Sequence, residues 1–140
     1  MDLLDRFRAF YASLGRGDLS GLNTVYSQDV SFIDPVGTHQ GLRQLEAYFQ
    51  ALLDGCAACQ FKIRGLRETG ETAFVEWTMS FAHKRLKAGQ DIHVDGFSIL
   101  SIANGKVDMQ RDYYDMGAMI YEHVPVVGRI VRALRGRLGR

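Results

Sequence analysis

After residue 54 the hydrophobic period of this 140-residue chain changes from helical to alternating, and it stays alternating to residue 114. Ahead of the change, Leu3, Leu4, Phe7, Phe10, Tyr11 and Leu14 recur at helical spacing and predict a helix over 2–14 closed by Gly15. Asp18 is placed to cap a short second helix running through Tyr26, with Leu19, Leu22 and Val25 inward. Val30 to Asp34 reads as extended and stops at Pro35, because the residue before proline avoids the α region. Leu42, Leu45, Tyr48, Phe49, Leu52 and Leu53 define a third helix over 41–54. Segments 59–68, 72–83, 91–102 and 106–114 then read as strands. Thr69-Gly70, Lys87-Ala88-Gly89 and Ala103-Asn104-Gly105 supply the tight connections that make them antiparallel neighbours.

Helices first and a meander after them exclude a doubly wound α/β fold. The order predicts an α+β domain over 1–122, with three N-terminal helices on one face of a strongly curved, mostly antiparallel sheet. A composition of 46% hydrophobic and 24% charged residues is that of a soluble globular chain, and no apolar run approaches the ~20 residues of a membrane span. Met1 to Arg6 contains early acids and no basic n-region, so the expected address is cytoplasmic.

The net charge of +1 conceals an asymmetry. Residues 124–140 hold five arginines and no acid, while the remainder holds 12 basic against 16 acidic residues, a net −4. Nucleic-acid binding is not indicated for that body. In the tail, Val126, Val127, Ile130, Val131, Leu134 and Leu138 recur against Arg129, Arg132, Arg135, Arg137 and Arg140, a basic amphipathic helix over 123–140. Packing within the chain or on a dimer partner is its expected fate, with an anionic membrane as the alternative. Cys56 and Cys59 follow a helix and precede a strand, the reverse of the usual redox placement, and read as inert thiols. No histidine and carboxylate pair has metal-binding helical spacing, so no metal is expected.

Ser31-Phe32-Ile33-Asp34-Pro35-Val36-Gly37, with the helices before it and strands after it, resembles the nuclear transport factor 2-like superfamily. That group includes ketosteroid isomerases, limonene-type epoxide hydrolases and SnoaL-like polyketide cyclases. The resemblance spans roughly residues 3–116 and implies a cone-shaped, cystatin-like fold around an apolar pocket. Asp34 stands where the isomerases carry their proton-shuttling base. Arg111-Asp112-Tyr113-Tyr114-Asp115 is instead similar to the closing strand of the epoxide hydrolases, where the residue matching Asp112 activates water. The isomerase oxyanion donors are replaced by Phe10 and Ser98, with Tyr11 adjacent to Phe10. The remaining hydrolase arginine and aspartate positions read Trp77 and Met79.

Strand alternation sorts the faces. Gln110, Asp112 and Tyr114 share one side, as do Val75, Trp77, Met79 and Phe81, and Gly96, Ser98 and Leu100. Phe10, Tyr11, Leu14, Tyr26, Tyr48 and Phe49 come from the helical half and complete an aromatic-rich substrate pocket. Apolar surroundings raise the pKa of an enclosed carboxylate, and a second carboxylate raises it further. The expectation is a cofactor-independent proton-transfer enzyme, isomerase-like or cyclase-like, acting on a hydrophobic carbonyl compound. Asp34 is its base, with protonated Asp112 and the Tyr114 hydroxyl as donors. Its alternatives are an epoxide-hydrolase-like enzyme using Asp112 and a non-catalytic hydrophobic-ligand-binding or accessory protein.

Asp34 has a plainer reading as a turn aspartate that binds backbone amides. Asp115 is expected to cap a helix starting at Met116. His39 follows the Asp-Pro-Val-Gly turn and could pair with Asp34 at the pocket mouth. His93 shares a face with Asp95, Phe97 and Ile99, the outer sheet face through which a homodimer is expected.

Overall fold

The computed structural model describes residues 2–139, apart from 84, 85, 87, 88, 120–123 and 125. Lys87 and Ala88 of one predicted turn, and His123, Pro125 and Arg140 of the tail, therefore lie outside the described residues.

Helix α1 spans Leu3–Leu14, and the Asp2 carboxylate caps it by accepting from the Asp5 amide at 2.9 Å. It buries Phe7, Phe10, Tyr11 and Leu14. The second helix is shorter than the spacing predicts: α2 covers only Leu22–Val25. Asp18 does not cap it; its carboxylate accepts from the Ser20 amide at 2.9 Å and closes a local turn instead. Strand β1 then starts at Tyr26 and runs to Asp34, so Tyr26 belongs to the sheet.

Val36-Gly37-Thr38 reads as a turn followed by a loop, but the chain turns at Pro35 and Val36 and then forms a short strand, β2 at Gly37–Gln40, antiparallel to β1. Helix α3 occupies Leu42–Gly55 and buries Leu45 and Phe49. Four strands follow: β3 (Cys56–Thr69), β4 (Thr72–His83), β5 (Asp91–Ala103) and β6 (Lys106–Tyr114). Asn104 and Gly105, both at positive φ (54° and 74°), form the tight link from β5 to β6. Helix α4 is Met116–Met119 and α5 is Val127–Leu138.

The sheet order is β2-β1-β6-β5-β4-β3. Every neighbouring pair is antiparallel except β1 and β6, which run parallel and bring the first and last strands together. Helices α1 and α3 both pack against β3, and α3 also packs against β1, so the helices lie over one face of the sheet. On that face Val75, Trp77, Met79 and Phe81 are buried in strict alternation, as are Ser98 and Leu100. Glu76, His93, Asp95 and Phe97 are exposed on the opposite face. This is the α+β cone with three N-terminal helices on a curved sheet.

Candidate active site

Between the helices and the inner sheet face lies a cleft of about 600 Å³ of empty space, its open mouth included. Asp34, Asp112, Tyr48 and Tyr114 supply its polar chemistry, together with Tyr11, Ser98 and Gln110. Most of the remaining wall is aromatic or aliphatic. An apolar cleft with a few convergent polar groups is the usual form of a small-molecule site.

Register explains how the polar groups meet. Ser98 on β5 pairs with Val75 on β4 and with Asp112 on β6, so Ser98 and Asp112 face each other across one rung. Gly96, two residues along on the same face, pairs with Trp77 and with Tyr114. A Cβ at Gly96 would overlap the indole of Trp77, so the missing side chain is what lets that ring lie flat across β5. The indole Nε1 then donates to Ser98 Oγ at 2.8 Å, and Ser98 Oγ donates to Asp112 Oδ1 at 2.5 Å.

Gln110 completes the other side. Its Nε2 donates to Asp112 Oδ1 at 2.9 Å and to Tyr11 Oη at 3.2 Å, while its Oε1 accepts from Tyr26 Oη at 2.6 Å. The Tyr11 and Tyr26 hydroxyls lie 2.8 Å apart. Both donors to Asp112 thus converge on Oδ1, and Oδ2 receives no hydrogen bond among the described residues. Burial pushes the Asp112 carboxyl up to about 6; the Ser98 and Gln110 hydrogen bonds oppose that rise, and the charge of Asp34 adds to it.

Asp34 is held differently. Its Oδ1 accepts from the amides of Val36 (3.0 Å) and Gly37 (3.1 Å), and its Oδ2 accepts from the Tyr48 hydroxyl. The turn-aspartate reading therefore describes one of its oxygens and an aromatic hydroxyl occupies the other. His39, on β2 rather than in a loop, stacks on Tyr48 with centroids 3.7 Å apart. Its Nε2 lies 3.9 Å from Asp34 Oδ1 and is buried without a hydrogen bond among the described residues.

Burial also raises the hydroxyl pKa values of Tyr11, Tyr26, Tyr48 and Tyr114, with Asp34 and Tyr114 adding to the effect at Tyr48. All four stay protonated at neutral pH and can act as neutral donors. Cys56 and Cys59 are free thiols at the start of β3; a hydrogen bond from Cys59 pushes Cys56 down to about 7. Among the described residues no group of three His, Cys, Asp or Glu side chains is arranged to hold a metal ion.

The predicted pocket residues divide. Tyr11, Tyr48, Phe49, Trp77, Met79 and Ser98 line the cleft, as do Gln110, Asp34, Asp112 and Tyr114. Phe10, Leu14, Tyr26 and Phe81 do not; they are buried in the core behind it. On α1 the one-residue step from Phe10 to Tyr11 decides which aromatic reaches the cleft, and it is Tyr11. Sequence reasoning missed Phe7, Phe61 and Ile63, although Phe7 lies one turn before Tyr11 and the other two alternate along β3. Met119 also reaches the wall from α4, and no pattern in the chain signals it. Asp115 does bond at the start of that helix, accepting from the Gly117 amide at 2.8 Å.

A curved sheet wrapped by N-terminal helices, with polar groups converging inside the cone, defines the nuclear transport factor 2-like superfamily. The chain matches the family model of the SnoaL-like domain over residues 7–108 and belongs to that family. Solved structures with the same fold include an NTF2-like protein of unknown function from Burkholderia pseudomallei (20% identity, 86% of this chain and 95% of that one, TM-score 0.75). A putative SnoaL-like polyketide cyclase from Jannaschia is 14% identical over 84% of this chain and 88% of its own, with a TM-score of 0.73. A hypothetical protein with a ketosteroid isomerase-like fold from Catenulispora acidiphila, in complex with trimethylamine, is 16% identical over 85% of this chain and 91% of its own, with a TM-score of 0.75. No curated protein matches in sequence. Family and cleft together make this a small-molecule-handling protein.

Proposed function

We propose that this chain is a cofactor-independent proton-transfer enzyme of the cyclase or isomerase type, acting on a hydrophobic carbonyl compound, with Asp112 carrying the proton. One observation carries the assignment: Asp112 is a carboxylate in an apolar cleft whose Oδ1 is occupied by two donors and whose Oδ2 is unengaged among the described residues. Oδ2 is the oxygen from which a proton can be exchanged with a carbon acid. A pKa near 6 leaves the group ionised at neutral pH while keeping its conjugate acid strong enough to return the proton.

In this reading Asp112 Oδ2 removes a proton from the carbon next to the substrate carbonyl. The electron pair moves onto the carbonyl oxygen, and the neutral hydroxyl of Tyr114 donates to the enolate that forms. Return of the proton to a different carbon completes an isomerisation. Attack of the enolate carbon on a second carbonyl in the same molecule, with the proton passed to the new alkoxide, completes a cyclisation. Asp34, with both oxygens engaged, holds Tyr48 and biases Asp112 through its charge, rather than serving as the base that its place in the motif implies. Trp77 and Met79 line the cleft where the hydrolase reading needs an arginine and a carboxylate, which favours carbon-acid chemistry over epoxide opening. The same reading assigns the outer sheet face, where Phe97 and Tyr113 are exposed, to a homodimer, and the site of action to the cytoplasm.

Exchange of α-protons of hydrophobic ketones in D2O, followed by NMR, tests the proposal directly. Asp112→Asn should abolish exchange and Asp34→Asn should only reduce it. The opposite order would return the base role to Asp34. Saturable ligand binding with no exchange by the wild-type chain would make the protein a binder.

A further inference from the structure

Helix α5 meets the rest of the protein along one narrow edge. Gly128 is buried, Arg135 Nη2 lies 3.7 Å from Asp115 Oδ2, and a Cβ added at Gly117 would stand 3.6 Å from Val131 Cγ1. The apolar residues beside that edge face outward. Val127, Ile130, Leu134 and Leu138 are 44%, 55%, 54% and 88% exposed, and at about 100° per residue they fall within an arc of roughly 80°. The stripe does not pack within the described chain, which leaves a dimer partner or a lipid surface to cover it. Arg137 borders the stripe, and Arg129 and Arg132 lie on the far side of the helix.

Charge narrows what can cover it. Residues 124–140 contain five arginines and no acid. In a two-fold dimer through this face, each cationic helix would meet another cationic helix with no carboxylate of its own to neutralise it. An anionic lipid surface offers both complements, acyl chains for the stripe and headgroup phosphates for the arginines. Any such contact would be peripheral, since no described helix is long and apolar enough to cross a membrane.

We propose that α5 docks this protein peripherally on anionic lipid bilayers through Val127, Ile130, Leu134 and Leu138, with Arg129 and Arg137 supplying the electrostatic attraction. The docking helix lies against α4, which also contributes Met119 to the cleft wall, so the lipid surface and the cleft are separated by one short helix. The inference does not depend on the reaction assigned to Asp112.

Flotation of the full chain with phosphatidylcholine vesicles, with and without phosphatidylglycerol, reads this out. Binding should be at least about tenfold stronger to the anionic vesicles and should weaken as salt is raised. The double variants Ile130→Glu/Leu134→Glu and Arg129→Glu/Arg137→Glu should each lose that binding while melting at the wild-type temperature. Equal binding to both vesicles, binding to neither, or full binding by the stripe variant would overturn the proposal. A dimer in light scattering that Leu134→Glu dissociates, without vesicle binding, would assign the face to a second copy.

Discussion

Replacing Asp112 by asparagine should make the protein more stable at alkaline pH and cost it its turnover. The carboxyl is raised from an ordinary 3.8 to about 6, first of all by burial. A folded-state pKa above the unfolded one means that the native state binds the proton more tightly, so stability is highest when the acid is neutral and is lost as pH rises through 6. At 1.36 kcal/mol per unit, the full cost of ionising the group in place is about 3 kcal/mol, reached above pH 7. About 1 kcal/mol of it is recovered by pH 5 and about 2 by pH 4. Asparagine has the same shape and keeps an oxygen for Ser98 and Gln110, but it carries no charge. Asp112→Asn should therefore exceed the wild type by up to about 3 kcal/mol at pH 8, and the margin should shrink by about 2 kcal/mol by pH 4. Urea denaturation of both proteins at pH 8, 6, 5 and 4 measures the difference, with m-values checking that the same transition is compared. Turnover by the variant should fall at least about 100-fold. Parallel stability curves, or a variant less stable at pH 8 than at pH 4 relative to wild type, would refute the reasoning.

Other perturbations follow from the same contacts. Ser98→Ala removes a donor that holds the Asp112 pKa down, so the acidic limb of the activity profile should move to higher pH; the orphaned Trp77 Nε1 should cost about 1–3 kcal/mol in denaturant. Gly96→Ala drives a methyl into the Trp77 indole, and a loss of about 1–3 kcal/mol with altered tryptophan fluorescence is expected; unchanged emission would mean that the ring does not lie across β5. Tyr48→Phe takes the hydroxyl from Asp34 Oδ2 and should reduce turnover less than Asp112→Asn, as measured by the D2O exchange assay.

Much of the architecture is legible because β4 and β5 repeat with period two and their inner faces are apolar apart from Ser98. Alternation sorts Trp77, Met79, Ser98, Gln110 and Asp112 onto shared faces and the family resemblance turns those faces toward the pocket; all five line the cleft. Period could not resolve what depends on a single rotation or on distant partners. Phe10 and Tyr11 are equally apolar-facing in a helical pattern, yet only Tyr11 reaches the cleft. The two engagements of Asp34 come from an amide turn and from a hydroxyl 14 residues away, and only the first has a local signature. β2 is four residues of Gly-Thr-His-Gln with no apolar alternation to mark it. α5 was visible as an amphipathic helix, but its outward orientation depends on Gly128, Val131 and Arg135 docking to α4.

The parallel pairing of β1 with β6 has a consequence for how the site comes into being. β6 is the last strand in the chain yet sits inside the sheet, between β1 and β5, and it carries Gln110, Asp112 and Tyr114. Docking it against β1 closes a loop of about eighty residues, an entropic cost met late by burial of the strands on either side. Until that insertion the cone has no closing wall, and no acid faces Ser98. A nascent or truncated chain that ends before residue 106 keeps the cleft aromatics of α1 and α3 but lacks Gln110, Asp112 and Tyr114, so closing the fold and completing the polar wall of the cleft are a single event.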